Sequence, residues 1–134
     1  MGFAGGETGN TMVSFMGQIG IKMNIVWIDQ PTRICTTLID EATACVTKLV
    51  EEALLPMPDE WSVLDEELSL FLAENDLMVV AGAPPPNLPE DIYAKLARRA
   101  QEAGVTMLID ARGEVLMQAL AYSPVLVNKK NLFG

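Results

Sequence analysis

A glycine cluster near the start of the sequence has the composition of an anion-binding turn. Residues 5–9 (GGETG) open a predicted helix over residues 10–19. Glycines such as Gly5 and Gly6 let backbone N–H groups approach a ligand, and the N-terminus of a helix favours a negative charge. The order differs from G-x-G-x-x-G and no complete strand precedes it, so a plain turn is the alternative interpretation.

One arginine and one aspartate stand at the ends of predicted strands. Arg33, in the pair Thr32-Arg33, opens a predicted strand, and arginine is the side chain best suited to bidentate phosphate binding. Its alternative role is a surface ion pair with one of the 18 acidic residues. Asp110 ends a predicted parallel strand, where open α/β sheets bind ligands, so its carboxylate could hold Mg²⁺ directly or through water. The alternative for Asp110 is an N-cap of the following helix.

The composition excludes several classes of function. The 134 residues include 9 basic and 18 acidic ones, and the formal net charge of −9 argues against nucleic-acid and anionic-membrane partners. There is no histidine, so imidazole bases and histidine metal ligands are excluded. Two cysteines cannot build a disulfide framework. With no signal peptide and no apolar run of about 20 residues, we predict a cytoplasmic protein.

The second half of the sequence alternates strand and helix patterns. Apolar runs at 77–81, 105–110 and 124–128 predict buried strands, and the segments 90–103 and 113–121 between them predict helices. Such β-α-β units form a parallel sheet with right-handed crossovers. The sequence therefore predicts an α/β fold.

The first half of the sequence is different. Residues 23–28, 33–39 and 44–50 predict antiparallel strands, with a helix as the alternative for 44–50. We interpret the region of about 23–50 as antiparallel β structure, such as a flap, inserted into a single partial domain that spans residues 1–134. A sheet of about three core strands is small for an α/β domain, so we predict that the chain is the middle of a larger one.

Five segments, in this order, resemble the pfkB-type (ribokinase-like) carbohydrate kinases. The resemblance is strongest to the sugar-phosphate kinase branch: 1-phosphofructokinase, tagatose-6-phosphate kinase and the minor 6-phosphofructokinase. Residues 2–9 are similar to the family's G-x-x-G-G-x-T-G segment, and residues 32–33 to the T-R that begins a lid strand in this branch. Residues 79–89 are similar to V-x-S-G-S-L-P-P-G-L-P, residues 110–116 to D-x-S-G-E-x-L, and residues 129–131 to K-P-N.

The resemblance implies a partial three-layer ribokinase-like fold, with a sugar phosphate as substrate and ATP and Mg²⁺ as cofactors. It implies that Arg33 grips the phosphate already on the sugar. Gly5 and Gly6 would lie close to the active-site cleft, and the Gly82 loop would border the sugar. The lid of this family commonly pairs with a second subunit, which implies a homodimer through residues 23–50.

The resemblance also implies a nucleotide side of the site. Lys129 and Asn131 would lie near the phosphates of ATP, with Asp110 near the Mg²⁺, directly or through water. Without the family pattern, residues 129–131 are most simply a solvated basic end.

The sequence departs from the family pattern at several positions. Ala81 and Ala83 replace serines, Lys130 replaces a proline, and Gly134 stands where a glutamate would help to organise Mg²⁺. The family's N-terminal sugar-binding segment and its C-terminal G-A-G-D motif, with the catalytic base and the anion hole, are not found in these residues. We therefore assign no catalytic residue.

The sequence thus predicts a central fragment of an ATP-dependent, phosphofructokinase-like sugar-phosphate kinase that is inactive as an isolated chain. The alternative is a stand-alone, degenerate relative that acts as a sugar-phosphate-binding or dimerisation module. A third hypothesis is an unrelated small nucleotide-binding domain. It is the weakest of the three, because such a domain needs a phosphate loop after a complete strand and the sequence shows none.

Overall fold

The computed structural model describes residues 1–52, 55–122 and 125–127. Contacts divide the chain into two compact units, Met1–Leu64 and Asp65–Gly134, and each is described by itself. The described elements combine helices, parallel strands and one antiparallel strand pair, which confirms the predicted α/β class. Within the same residues, no helix has both the length and the hydrophobicity needed to cross a membrane.

The first unit begins with a short β-α-β arrangement. Strand β1 (Gly2–Ala4) is followed by helix α1 (Gly6–Gln18) and strand β2 (Ile25–Trp27). The two strands pair in parallel, because the helix carries the chain back to the end of the sheet from which it started. The core of this arrangement is small, and its buried members are Ala4, Val26 and Ile28.

An antiparallel hairpin follows in the first unit. Strands β3 (Cys35–Asp40) and β4 (Cys45–Val50) pair over their full lengths, and every residue of both strands is exposed. The segment 44–50, for which a helix was the alternative, thus forms a strand. Of the antiparallel strands predicted over residues 23–50, only β3 and β4 form an antiparallel pair in the described residues, since β2 pairs in parallel with β1. The sequence did not reveal that pairing, because only a two-residue apolar stub marks β1.

The second unit is built on a three-stranded parallel sheet. Its order is β5 (Leu77–Ala81), β6 (Thr106–Asp110) and β7 (Val125–Val127). Helices α3 (Ile92–Glu102) and α4 (Glu114–Ala119) connect successive strands. This confirms the predicted β-α-β-α-β order.

The core of the second unit lies on one face of that sheet. Alternate residues of β6, Met107 and Ile109, are fully buried, as expected for a strand with one face covered by helices. Alanines of α3 bring that helix close to β6. The buried residues of the two connecting helices are Ile92, Tyr93, Ala97, Ala100, Leu116 and Ala119.

Helix α2 (Pro58–Glu74) is tied to α3 within the second unit by Arg99. The guanidinium of Arg99 forms an ion pair with the carboxylate of Asp65. It also donates a hydrogen bond to the Asp65 carbonyl oxygen at 3.3 Å and another to Ser69 Oγ at 2.7 Å. Because this arginine is largely shielded from solvent, the contact is screened less than an exposed surface pair.

Candidate functional site

The first group of candidate residues surrounds the glycine cluster at the start of α1. The Gly5 N–H donates a hydrogen bond to Thr32 Oγ1 at 3.0 Å, and the Thr32 N–H donates to the Gly5 carbonyl oxygen at 2.8 Å. The Thr8 hydroxyl donates to the Thr32 carbonyl oxygen at 2.6 Å. The structure therefore brings Gly5, Gly6 and Arg33 into one neighbourhood, since Gly6 and Arg33 adjoin the bonded residues.

The absence of a side chain at Gly5 is required by a close backbone approach. A Cβ atom at this position would lie 2.0 Å from the carbonyl oxygen of Gln30 and 2.3 Å from that of Ile28. Gly6 has a φ of 64°, a left-handed conformation that glycine adopts without strain. The glycine pair thus allows the start of α1 to pack closely against the segment after β2. The sequence pointed to a ligand contact here and did not reveal this packing role.

Arg33 leads from this neighbourhood into β3. Its side chain is exposed, and among the described residues it makes no ion pair or hydrogen bond. The alternative predicted from the sequence, a surface pair with a carboxylate, is therefore not seen in the described part of the chain. Thr32, which sequence reasoning noted only as the neighbour of Arg33, is the residue that fixes the backbone before it.

The second group of candidate residues lies at the carboxyl ends of β5 and β6. The Gly82 N–H donates a hydrogen bond to the Asp110 carbonyl oxygen at 3.0 Å, so the two strand ends are joined. The φ of Gly82 is 92°, which side-chain-bearing residues rarely adopt. The hydroxyl of Tyr93 donates to the Gly82 carbonyl oxygen at 2.9 Å. Gly82 is therefore held from β6 and from α3.

A cleft of about 360 Å³ opens beside Gly82 and Asp110. Its position, beyond the carboxyl ends of parallel strands, is where open α/β sheets bind ligands. The residues that line it are Gly82, Ala83, Asp110, Ala111, Arg112 and Val115. Arg112 was not among the site residues predicted from the sequence, although its place two residues after a strand-terminal aspartate was a usable signal.

The Tyr93 hydrogen bond leads to a prediction about alkaline pH. Burial raises the pKa of the Tyr93 phenol above its ordinary value. Below about pH 10 the phenol is neutral in both the folded and the unfolded chain, so its ionisation does not affect the free energy of unfolding. As the pH rises further, the unfolded chain ionises first, so we expect the free energy of unfolding to fall.

Urea unfolding at about pH 8 and above pH 10 measures this loss. Tyr93→Phe should reduce the alkaline loss and should cost about 1 kcal/mol at the lower pH, because the Gly82 carbonyl loses its donor. Tyr122→Phe, at the second of the two tyrosines, is the matched control and should leave the loss in place. An equal alkaline loss of unfolding free energy in Tyr93→Phe and Tyr122→Phe would contradict the role given to Tyr93.

The metal and nucleotide predictions have a limited counterpart in the structure. In residues 1–52, 55–122 and 125–127 there is no cluster of three cysteine, aspartate or glutamate side chains suited to hold a metal ion. Among the residues that the structure describes, Asp110 is the one that contributes a carboxylate to the lining of the cleft, which fits an ion such as Mg²⁺ that keeps several waters and takes other ligands from phosphates. Lys129 and Asn131 lie outside the described residues, as do Lys130 and Gly134.

Comparison with known proteins shows a family match and several similar kinases. The family described as pfkB family carbohydrate kinase matches residues 1–130. A 1-phosphofructokinase of Bacillus subtilis (strain 168) is 27% identical over 127 residues, which are 95% of this chain and 41% of the relative. The crystal structure of a possible 1-phosphofructokinase from Thermotoga maritima shares the fold, with a TM-score of 0.84 at 23% identity, over 96% of this chain and 42% of that one.

A second solved structure is similar at higher identity. Phosphofructokinase-2 from Escherichia coli, in complex with fructose-6-phosphate, has a TM-score of 0.82 at 28% identity and is matched over 97% of this chain and 44% of its own length. The chain therefore spans about two fifths of the length of the relatives it matches, as the prediction of a fragment requires. The match of the family over nearly every residue confirms the resemblance seen in the sequence motifs. The chain belongs to the pfkB family of carbohydrate kinases.

Proposed function

We propose that this chain supplies part of the substrate site of an ATP-dependent sugar-phosphate kinase of the phosphofructokinase type. The observation that carries the proposal is the cleft at the carboxyl ends of β5 and β6, where Gly82 and Asp110 are joined in a chain of this family. The fructose-6-phosphate held by the similar Escherichia coli enzyme supports a phosphorylated hexose as substrate. The alternative of a stand-alone binding module is not favoured, because the relatives are phosphofructokinases.

Arg33 is the residue proposed to bind the phosphate already present on the sugar. Its guanidinium is exposed and, among the described residues, is not neutralised by a carboxylate, so its donors are available to a ligand. The bonds between Thr32 and Gly5 fix the backbone directly before it. A fixed backbone and a planar fork of donors suit bidentate phosphate binding. Gly5, Gly6 and Gly82 are proposed to shape the substrate side through their backbones.

The nucleotide side of the site is proposed on the family resemblance. Mg²⁺ bound with ATP would neutralise negative charge on the transferred phosphoryl group. Asp110 is the described residue that would hold this ion, through its carboxylate or an intervening water. Lys129 and Asn131 are proposed to contact the nucleotide phosphates.

We infer that the isolated chain does not catalyse the transfer. The 134 residues lack the G-A-G-D motif that the family uses for its base and anion hole, and these are usually the largest contributions to such a reaction. Alanines at positions 81 and 83 also remove two hydroxyls that the family pattern would place beside Gly82. Substrate binding and catalysis are therefore expected to be separable in this chain.

The hairpin β3–β4 supports a homodimer as the proposed assembly. Its strands expose Leu38, Ile39, Val46 and Leu49, which lie on both faces of the two-stranded sheet. An exposed apolar hairpin with open edges is prone to pair with another chain. The two exposed free cysteines, Cys35 and Cys45, fit a reducing compartment and so support the proposed cytoplasmic location.

The substrate proposal is tested by substitution of Arg33. We expect Arg33→Ala to weaken binding of fructose 6-phosphate to this chain by about tenfold, because a charge-assisted bidentate contact is lost. The affinity of Arg33→Lys should lie between those of the unsubstituted chain and Arg33→Ala, since lysine keeps the positive charge but cannot form the bidentate contact of a guanidinium. Isothermal calorimetry with fructose 6-phosphate, and with fructose as the unphosphorylated comparison, measures both effects.

Lys22→Ala is the matched control, because Lys22 is an exposed cation of the same unit. It should leave the affinity for fructose 6-phosphate unchanged. Equal affinities of the unsubstituted chain and Arg33→Ala would remove Arg33 from the site. A chain that binds fructose and fructose 6-phosphate equally well would contradict a sugar-phosphate site.

A further inference from the structure

We propose that Arg112 binds a phosphate group of the ligand in the cleft beside Asp110. This assignment deepens the proposed function and rests on it, because it gives the cleft of the second unit a phosphate contact of its own. The relevant chemistry is that of a phosphate dianion, carried either by a nucleotide or by a sugar phosphate.

The lining of the cleft leaves this role to one side chain. Of the six lining residues, four are glycine, alanine or valine, and Asp110 carries an acceptor. Arg112 is therefore the single lining side chain, among the described residues, that can donate hydrogen bonds to an anion. Ala83 stands in that lining where the family pattern has a serine, and Arg112 stands where the pattern has another, so the guanidinium of Arg112 takes the place of a hydroxyl donor.

The guanidinium of Arg112 is available for such a contact. It is exposed and forms no ion pair or hydrogen bond within the described part of the chain. By contrast, Arg98 pairs with Glu102 and Arg99 pairs with Asp65. In a chain with twice as many acidic as basic residues, an unpaired arginine at the mouth of a cleft is available to an incoming anion.

The backbone on each side of Arg112 is held in place. Ala111 is buried, and Gly113 adopts a φ of 69°, which favours glycine. The Leu116 N–H donates to the Gly113 carbonyl oxygen at 3.2 Å, and the Leu116 side chain is fully buried. The attachment point of Arg112 is therefore fixed beside the cleft, and only its side chain is left to move.

The local charge also favours this assignment. The chain has a net charge of −9, and Asp110 lines the same cleft, so an approaching phosphate would be repelled. Charges beyond about 8 Å are largely screened at physiological ionic strength, so the nearest groups decide the outcome. Arg112 is the cation that lines the same cleft among the described residues, and its charge makes the cleft more favourable for a phosphate dianion.

The test is a titration of the isotope-labelled 134-residue chain, followed by amide NMR spectra. Inorganic phosphate, fructose 6-phosphate and ATP without metal are added separately. We expect phosphate to shift the amide signals of Gly82, Ala83 and residues 110–113. Arg112→Ala should weaken this binding by about tenfold, and Arg112→Lys by less, because lysine keeps a point charge and loses the fork.

Arg98→Ala is the matched control, since Arg98 is an exposed arginine of the same unit, paired with Glu102 and outside the cleft. It should leave the phosphate affinity unchanged, and equal melting temperatures of the two alanine variants would show that both are folded. The source of the phosphate is identified by the ligand, ATP or fructose 6-phosphate, whose affinity falls more in Arg112→Ala.

Two results would overturn the assignment. One is equal phosphate affinity of the unsubstituted chain and Arg112→Ala. The other is the absence of phosphate-induced shifts at Gly82 and residues 110–113, including the case in which shifts occur only at residues 31–33. The variant Arg33→Ala separates this test from the proposal that Arg33 binds the sugar phosphate. It should keep the phosphate-induced amide shifts at Gly82 and residues 110–113, whether or not Arg33 contributes to sugar-phosphate binding.

Discussion

Gly5→Ala is expected to unfold the first unit, with a loss of at least about 3 kcal/mol in the free energy of unfolding. The added Cβ would lie 2.0 Å from the carbonyl oxygen of Gln30 and 2.3 Å from that of Ile28. Both are backbone atoms, so the conflict cannot be relieved by a side-chain rotation. The backbone would have to separate, and the two hydrogen bonds between Gly5 and Thr32 would break.

Tryptophan fluorescence during denaturant unfolding measures this effect, because both tryptophans of the chain, Trp27 and Trp61, belong to the first unit. Gly17→Ala is the matched control. A Cβ at Gly17 would meet nothing within 4 Å, and alanine is favoured over glycine inside a helix by up to about 1 kcal/mol. The control should therefore be neutral or stabilising. If Gly5→Ala were as stable as Gly17→Ala, the close approach described at Gly5 would be wrong.

Leu116→Ala is expected to cost about 2–5 kcal/mol, because it leaves a cavity in the core of the second unit. Leu116 is 1% exposed, on the helix that follows the cleft-lining segment. Its N–H also closes the turn at Gly113. The loss should therefore reach the cleft, and we expect amide exchange at residues 110–113 to become faster.

Leu70→Ala makes the same chemical change on a helix surface. Leu70 is 62% exposed on α2, so its truncation removes little buried surface and should change stability by less than about 0.5 kcal/mol. Denaturant unfolding followed by circular dichroism compares the two variants. A loss at Leu116 no larger than that at Leu70 would show that α4 is not packed into the core as described.

Much of the second unit could be predicted from the sequence, because its signals are local. The run Leu77–Ala81 and the strand ending at Asp110 are continuous and apolar, which is typical of buried parallel strands. Gly82 and the prolines after it mark a loop that no helix or strand can continue through. The position of Asp110 at a strand end therefore followed from pattern alone, and the structure places it in the cleft.

The first unit was harder to predict, because its features depend on contacts between distant residues. The three residues of β1 carry too weak a pattern to identify a parallel partner for β2. The packing of Gly5 depends on a backbone more than 20 residues away, which periodicity does not report. For the same reason, the sequence did not reveal the close backbone contact at Gly5, and the ligand-binding role that it indicated for the glycines stays a prediction.

The candidate site was predictable in part. The family motifs indicated Arg33, Gly82 and Asp110, and the structure leaves Arg33 unpaired among the described residues and joins the other two. Arg112 was missed because the motif to which it belongs has a serine at that position, so the pattern drew attention to its neighbours. Whether a charged side chain is paired depends on the fold around it, and this is not visible in a motif.

We propose centrally that this chain binds a sugar phosphate but does not carry out the phosphoryl transfer of its family. Phosphorus NMR of the chain with fructose 6-phosphate, ATP and Mg²⁺ tests both parts at once. We expect the sugar-phosphate resonance to shift or broaden on addition of the chain, while no ADP and no second sugar-phosphate resonance appear. An unperturbed sugar-phosphate resonance would contradict the substrate site, and sugar-dependent formation of ADP would contradict the inactivity of the isolated chain.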